Sequence, residues 1–112
     1  GVAHRVYRFA FAEIDRARAE SETEGFAKIV TNPKGRLLGA AIVGPHAGEL
    51  IAEYVLAVSK GMNAKDLTGV IHAYPTLAQI NRRVADQRLK EGLTPTAKTW
   101  IQRIFGLRGA RA

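Results

Sequence analysis

The stretch GFAKIVTNPKGRLLGAAIVG, Gly25 to Gly44, decides the fold of this chain of 112 residues. Two apolar runs flank the turn sequence NPKG, in which Pro33 and Gly35 are placed to reverse the chain. The first run, GFAKIVTN, alternates in the manner of a strand with one buried face. The second run, RLLGAAIVG, is apolar and rich in small residues, which predicts a central strand buried on both faces. Together the two runs predict a β-hairpin.

A further strand is predicted before the hairpin. RVYRFAF, Arg5 to Phe11, alternates and carries a strongly aromatic face. The segment that follows, IDRARAESETE, is polar and rich in charge, and we expect it to be a loop or an irregular connection.

Helical patterns fill the rest of the chain. GPHAGELIAEYVLAVSKGM has a period of about 3.6 residues. Its apolar face comprises Leu50, Ile51, Tyr54, Val55 and Val58. NAKDLTGVI predicts a short helix with Asn63 as N-cap and Asp66 at N3. LAQINRRVADQRLKEG predicts another, ended by Gly92, whose apolar face comprises Leu77, Ile80, Val84 and Leu89.

Segregated strands and helices predict the α+β class: a small antiparallel sheet with helices packed on one face. We expect a domain at residues 1–92. A last helix is predicted from Thr94, where an N-cap is followed by Pro95 at N1. Residues 93–112 are therefore expected to form a basic, amphipathic C-terminal helix extension.

The positive charge is concentrated near the C-terminus. The net charge is +7, of which residues 82–112 carry +6, from eight Lys or Arg and two acids. Its Trp-bearing end, Lys98 to Arg111, could bind an anionic membrane, with Trp100, Ile101, Ile104 and Phe105 at the interface, or an acidic partner. Its apolar residues could equally pack on the domain or on a second copy. Nucleic acid is not expected, because the basic residues are not interleaved with stacking platforms.

Several site classes find no support in the sequence. There is no cysteine, which excludes a disulfide or a thiolate site within the chain. His4, His46 and His72 lack metal-ligand spacing, so we expect no metal. GPHAGE matches neither glycine-rich phosphate motif, and no serine lies in GxSxG. The chain is not expected to be an enzyme by itself, and without a visible signal peptide we expect a cytoplasmic protein.

The most unusual short stretch is IHAYPT, Ile71 to Thr76. On the residues alone it fits a helix start. Pro75 would occupy N1, Tyr74 would be the extended residue before proline, and His72 would be a polar loop residue.

Read together, four elements of the sequence suggest more. They are RA at Arg16 and Ala17, GFAKIV at 25–30, LLGAAIVGPHAGELI at 37–51, and HAYPT at 72–76. Over residues 6–80 the chain closely resembles the C-terminal dimerisation domain of the FAD-dependent pyridine nucleotide-disulfide oxidoreductases. Dihydrolipoamide dehydrogenase, glutathione reductase and mercuric reductase belong to this family.

The resemblance implies a reductase interface-domain fold, truncated at its N-terminus, that follows an FAD domain and a nucleotide domain. It implies a homodimer in which the HAYPT loop reaches the partner subunit's active site. His72, Tyr74 and Pro75 would then lie near the partner's FAD, and Pro75 could follow a cis peptide. The full-length parent would use FAD and NAD(P)H, whereas this fragment would bind neither and be inactive alone.

The loop departs from the family pattern at two positions. Tyr74 stands where the family has its catalytic histidine, and Gln79 stands where it has the partner glutamate. A tyrosine with an ordinary pKa near 10 and a neutral amide cannot relay protons at pH 7 as a histidine and glutamate do. The resemblance therefore implies a divergent or mercuric-reductase-like member, with the parent's substrate left open.

Overall fold

The computed structural model describes residues 3–91 as three strands and four α-helices, with a single 3₁₀ turn after the first strand. The strands are β1 (Arg5–Ala10), β2 (Phe26–Thr31) and β3 (Leu37–Val43). The helices are α1 (Asp15–Ala19), α2 (Ala47–Ser59), α3 (Ala64–Thr68) and α4 (Gln79–Glu91), and the 3₁₀ turn is Phe11–Glu13. Among these residues no helix is long and apolar enough to cross a membrane. The predicted helix from Thr94 and the stop at Gly92 lie outside the described residues.

The sheet is antiparallel with the order β1-β2-β3. Tyr7 on β1 lies opposite Ile29 on β2, which in turn lies opposite Ala40 on β3. The predicted hairpin of β2 and β3 is therefore confirmed. The prediction that β3 is a central strand buried on both faces is wrong. β2 is central, and β3 pairs with β2 alone within the described part of the chain, which leaves much of β3 exposed or half-buried.

The helices cover one face of the sheet, as predicted. On that face the aromatic side chains of β1 and the apolar residues of β2 are buried: Tyr7, Phe9, Ala27 and Ile29. Helix α4 packs on β1 and β2, while α2 packs on β3. Burying this apolar surface contributes about 25 cal/mol per Å². The opposite face carries exposed apolar side chains, including Val6 and Val43.

The segment predicted as an irregular connection contains the short helix α1. Ile14 and Ala17 are buried there, so tertiary packing stabilises a helix that its polar composition does not indicate. Two residues placed on apolar helix faces also prove exposed, namely Val55 on α2 and Leu89 on α4. In both helices the buried stripe is narrower than the apolar stripe of the sequence.

The cap predicted for α3 is confirmed. The Asn63 side chain accepts a hydrogen bond from the backbone N–H of Lys65, and Asp66 accepts from the backbone N–H of Asn63. The Asn63 amide also donates to the carbonyl of Lys34 at 2.9 Å, which ties the β2–β3 turn to α3.

Two buried polar side chains join α2 to α4. The Tyr54 hydroxyl donates to the backbone carbonyl of Asn81 at 2.5 Å, and the Asn81 amide donates to the carbonyl of Leu50 at 2.9 Å. Burial raises the pKa of Tyr54 well above its usual range, so its hydroxyl keeps the proton that it donates. These two hydrogen bonds fix where α4 begins relative to α2.

We predict that Tyr54→Phe lowers the free energy of unfolding by about 1 kcal/mol, because it removes a buried hydrogen bond without changing the packing volume. Urea denaturation followed by circular dichroism measures the change. Tyr74→Phe, at an exposed position, is the matched control and should cost less. Equal costs for the two variants would contradict this role of Tyr54.

Candidate functional site

The HAYPT loop lies between α3 and α4, and its Tyr74–Pro75 peptide bond is cis. The Thr76 hydroxyl donates to the carbonyl of Ala73 at 2.6 Å, which closes the turn from within. Helix α4 begins at Gln79, so the predicted helix start at Pro75 comes four residues too early. The residues between Pro75 and Gln79 form a turn.

A hydrogen bond between His72 and Glu53 links this loop to α2. The Nε2 atom of His72 lies 2.7 Å from Oε2 of Glu53, and its Nδ1 atom lies 3.1 Å from the carbonyl oxygen of Val70. The His72 side chain is only 6% exposed and that of Glu53 is 28% exposed. The His72 side chain is therefore enclosed, and its ring links the loop to the helix.

The contacts of His72 define what its ring can do. The carbonyl oxygen of Val70 is an acceptor only, so Nδ1 must carry a proton. The Nε2 atom is hydrogen-bonded to the Glu53 carboxyl group, so both ring nitrogens are engaged. With both nitrogens hydrogen-bonded, the ring links the loop to α2 and does not point toward solvent.

Tyr74 points the other way, toward solvent. It is 67% exposed, and its hydroxyl donates to Oδ2 of Asp15 at 2.8 Å. The hydrogen bond to the Asp15 carboxylate, with the negative charge of that group, raises the pKa of Tyr74 above its ordinary value. The phenol is consequently neutral at pH 7. Helix α1 makes a second, longer contact with the loop, at 3.5 Å from Arg16 Nη1 to the carbonyl oxygen of Pro75.

Gln79 does not join this arrangement. It lies half-buried at the first position of α4, and within residues 3–91 no hydrogen bond links it to Tyr74. The structure thus brings together Tyr74 and Asp15, and separately His72 and Glu53. Neither carboxylate is indicated by the sequence. Asp15 is 59 residues from Tyr74 and Glu53 is 19 residues from His72, so no spacing rule connects either pair.

A cleft of about 340 Å³ borders the loop on the side of α1 and the start of α2. Its lining includes Arg16, Glu20, His46 and Thr76. Arg16 Nε lies 2.6 Å from Glu20 Oε1, so the charges of these two residues largely cancel within the cleft. In the described part of the chain no cluster of side chains could hold a metal ion.

Comparison with known proteins identifies the family. A family model described as the pyridine nucleotide-disulphide oxidoreductase dimerisation domain matches residues 1–84. This chain belongs to that family. The resemblance drawn from the four sequence elements is confirmed, and so is the reductase dimerisation-domain fold.

The similar proteins include dihydrolipoamide dehydrogenases. The chain is 43% identical over 86 residues to the dihydrolipoamide dehydrogenase of Chaetomium thermophilum, which covers 76% of this chain and 17% of that protein. It is 43% identical over 83 residues to the dihydrolipoyl dehydrogenase of Geobacillus stearothermophilus, covering 73% of this chain and 18% of that protein. The chain therefore spans less than a fifth of these relatives.

Solved structures share the fold. LpdA of Mycobacterium tuberculosis superimposes with a TM-score of 0.74 at 27% identity, over 78% of this chain and 19% of that one. The HOCl-induced flavoprotein disulfide reductase RclA of Escherichia coli superimposes with a TM-score of 0.71 over 77% of this chain and 20% of that one. At 23% identity, the second likeness concerns the fold alone.

We predict that Glu53→Gln lowers the free energy of unfolding by about 1–2 kcal/mol at neutral pH, because the enclosed His72 loses its charged partner. Glu49→Gln, at an exposed position on the same helix, is the matched control and should cost about 0.5 kcal/mol or less. Thermal denaturation of both variants measures the difference. If Glu49→Gln lowered the free energy of unfolding as much as Glu53→Gln, the stabilising role of the His72–Glu53 contact would be contradicted.

Proposed function

We propose that this chain is the dimerisation domain of an FAD-dependent NAD(P)H oxidoreductase and that it contributes the HAYPT loop to the partner subunit's flavin site. The observation that carries the proposal is the loop itself. Hydrogen bonds join the loop to α2 through His72 and to α1 through Tyr74, while the Tyr74 ring remains exposed to solvent. A firmly held loop with an outward aromatic ring is suited to meet a second molecule.

Exposed apolar residues support the homodimer. Val55 and Leu56 on α2 are 58% and 59% exposed, and Ile71 in the segment leading to the loop is 92% exposed. Large apolar side chains exposed on neighbouring elements are typical of an interaction surface. We propose that this surface packs against a second copy of the domain.

The cofactors of the parent follow from the family. FAD and NAD(P)H would be bound by the preceding domains, with Tyr74 and Pro75 near the partner's FAD. Because Tyr74 is held neutral and Gln79 carries no charge, the loop would supply hydrogen bonds and shape and not a titrating base. Such a loop suits a divergent disulfide reductase or a mercuric-type reductase. The location of the protein in the cytoplasm stays a prediction.

Sedimentation velocity over a range of concentrations tests the dimer. We predict that the chain forms a dimer and that Leu56→Glu weakens it at least tenfold, because a charge would enter an apolar interface. The matched control is Val43→Glu, a similarly exposed position on the open face of the sheet, which should leave the dimer intact. A monomer at all concentrations, or a dimer broken by Val43→Glu alone, would contradict the proposed surface.

A further inference from the structure

The side chain of Asp15 makes a specific contact with the loop. It lies at the first position of α1 and is exposed. Its Oδ2 atom accepts a hydrogen bond from the Tyr74 hydroxyl, with the two oxygens 2.8 Å apart. The contacts of the neighbouring Arg16 are directed elsewhere, from Nε to Glu20 at 2.6 Å and from Nη1 to the carbonyl oxygen of Pro75 at 3.5 Å. The Asp15 carboxylate is therefore available to Tyr74.

Because the Tyr74 hydroxyl donates its hydrogen bond to Asp15, the hydrogen bonds that it can form with other groups are limited. A tyrosine hydroxyl has one proton and can also accept hydrogen bonds through its oxygen. Once the proton is directed to Asp15, only the lone pairs of the oxygen face outward. The Tyr74 oxygen can then accept a hydrogen bond but cannot donate a second one.

We propose that Asp15 is a positioning residue, which orients the Tyr74 hydroxyl so that the loop presents a hydrogen-bond acceptor to a donor group, such as a thiol S–H or a flavin ring N–H, in the partner's site. The identity of that site rests on the proposed function, whereas the Asp15–Tyr74 pair lies within one chain. A Tyr74 oxygen that only accepts cannot form a hydrogen bond with a bare carbonyl oxygen or a disulfide sulfur, since neither carries a proton.

Helix α1 carries the charged residues Asp15, Arg16 and Arg18, and Glu20 follows at its C-cap. The Asp15 carboxylate is the one whose hydrogen bond and charge raise the pKa of Tyr74. The other two tyrosines, Tyr7 and Tyr54, also have raised pKa values, in each case chiefly through burial. A measurement that resolves the three rings can therefore assign an Asp15 effect to Tyr74 alone.

The test is a pH titration of the chain labelled with ¹³C at the Cζ atom of tyrosine, followed by NMR, with Tyr74→Phe identifying the Tyr74 signal. We expect the Tyr74 pKa to lie above that of free tyrosine, about 10. Asp15→Asn should bring it back toward the free value, while Asp15→Glu should keep part of the rise. The folded-state pKa of Tyr74 is raised because the neutral phenol donates the hydrogen bond to Asp15. The contact therefore stabilises the fold below about pH 10, and this stabilisation is lost as pH rises through the Tyr74 pKa.

The matched control is Glu13→Gln, which removes one exposed negative charge just before α1 without touching Tyr74. It should leave the Tyr74 titration unchanged. An unchanged titration in Asp15→Asn, or an equal change in Glu13→Gln, would overturn the inference. Neither result depends on a dimer, so a failed Asp15 effect and a failed dimer are separate outcomes.

The acceptor role has its own readout in the intact flavoprotein. Asp15→Asn frees the Tyr74 proton to point outward, and we expect the flavin absorption spectrum or the pH profile of turnover to shift. Asp15→Glu should restore the original behaviour. If both variants matched the unmodified protein while the NMR titration still showed the Asp15 effect, the pair would be real but its role toward the partner would be overturned.

Discussion

The junction of α2 and α4 is the constraint on which the rest of the structure depends. Tyr54 and Asn81 each make a buried hydrogen bond across it, at 2.5 and 2.9 Å. A buried polar group without a partner costs about 1–3 kcal/mol. A shift of α4 along α2 would break these hydrogen bonds and is therefore unfavourable. The start of α4 fixes one end of the HAYPT loop, while α2 provides Glu53 to hold His72 within it. The placement of the loop is therefore a consequence of helix packing.

Residues of the HAYPT loop have two different roles: one links the loop to the domain, and another is exposed to solvent. His72 is enclosed and has both ring nitrogens engaged, which suits a structural link. Tyr74, two residues later, is exposed, and its hydroxyl is oriented by a carboxylate from a different helix. The expectation that His72 contacts the partner's flavin stays a prediction, although its ring is directed toward Glu53 in the isolated chain. The alternation along the loop separates the two tasks.

Much of the fold follows from the sequence because its signals are local. The alternation of β1 and β2, the turn at Asn32–Gly35 and the Asn63 cap each depend on neighbouring residues, and all were predicted. The errors occur where distant residues decide the outcome. The position of β3 at the edge depends on which strands pair, and the formation of α1 depends on burial of Ala17. In the site, Tyr74 and Gln79 were found by resemblance, whereas Asp15 and Glu53 become visible only when the fold brings them to the loop.

The most direct test of the central claim uses hybrid dimers of the intact flavoprotein. One subunit would carry a disabled loop, Tyr74→Ala with Pro75→Gly, and the other would carry an intact loop but an inactive flavin site. If the loop acts at the partner's flavin, each homodimer is impaired, while the hybrid regains up to half of the normal turnover per flavin-competent dimer. A hybrid no more active than the loop-disabled homodimer would contradict the account, because it would place the loop at its own subunit's flavin or at neither.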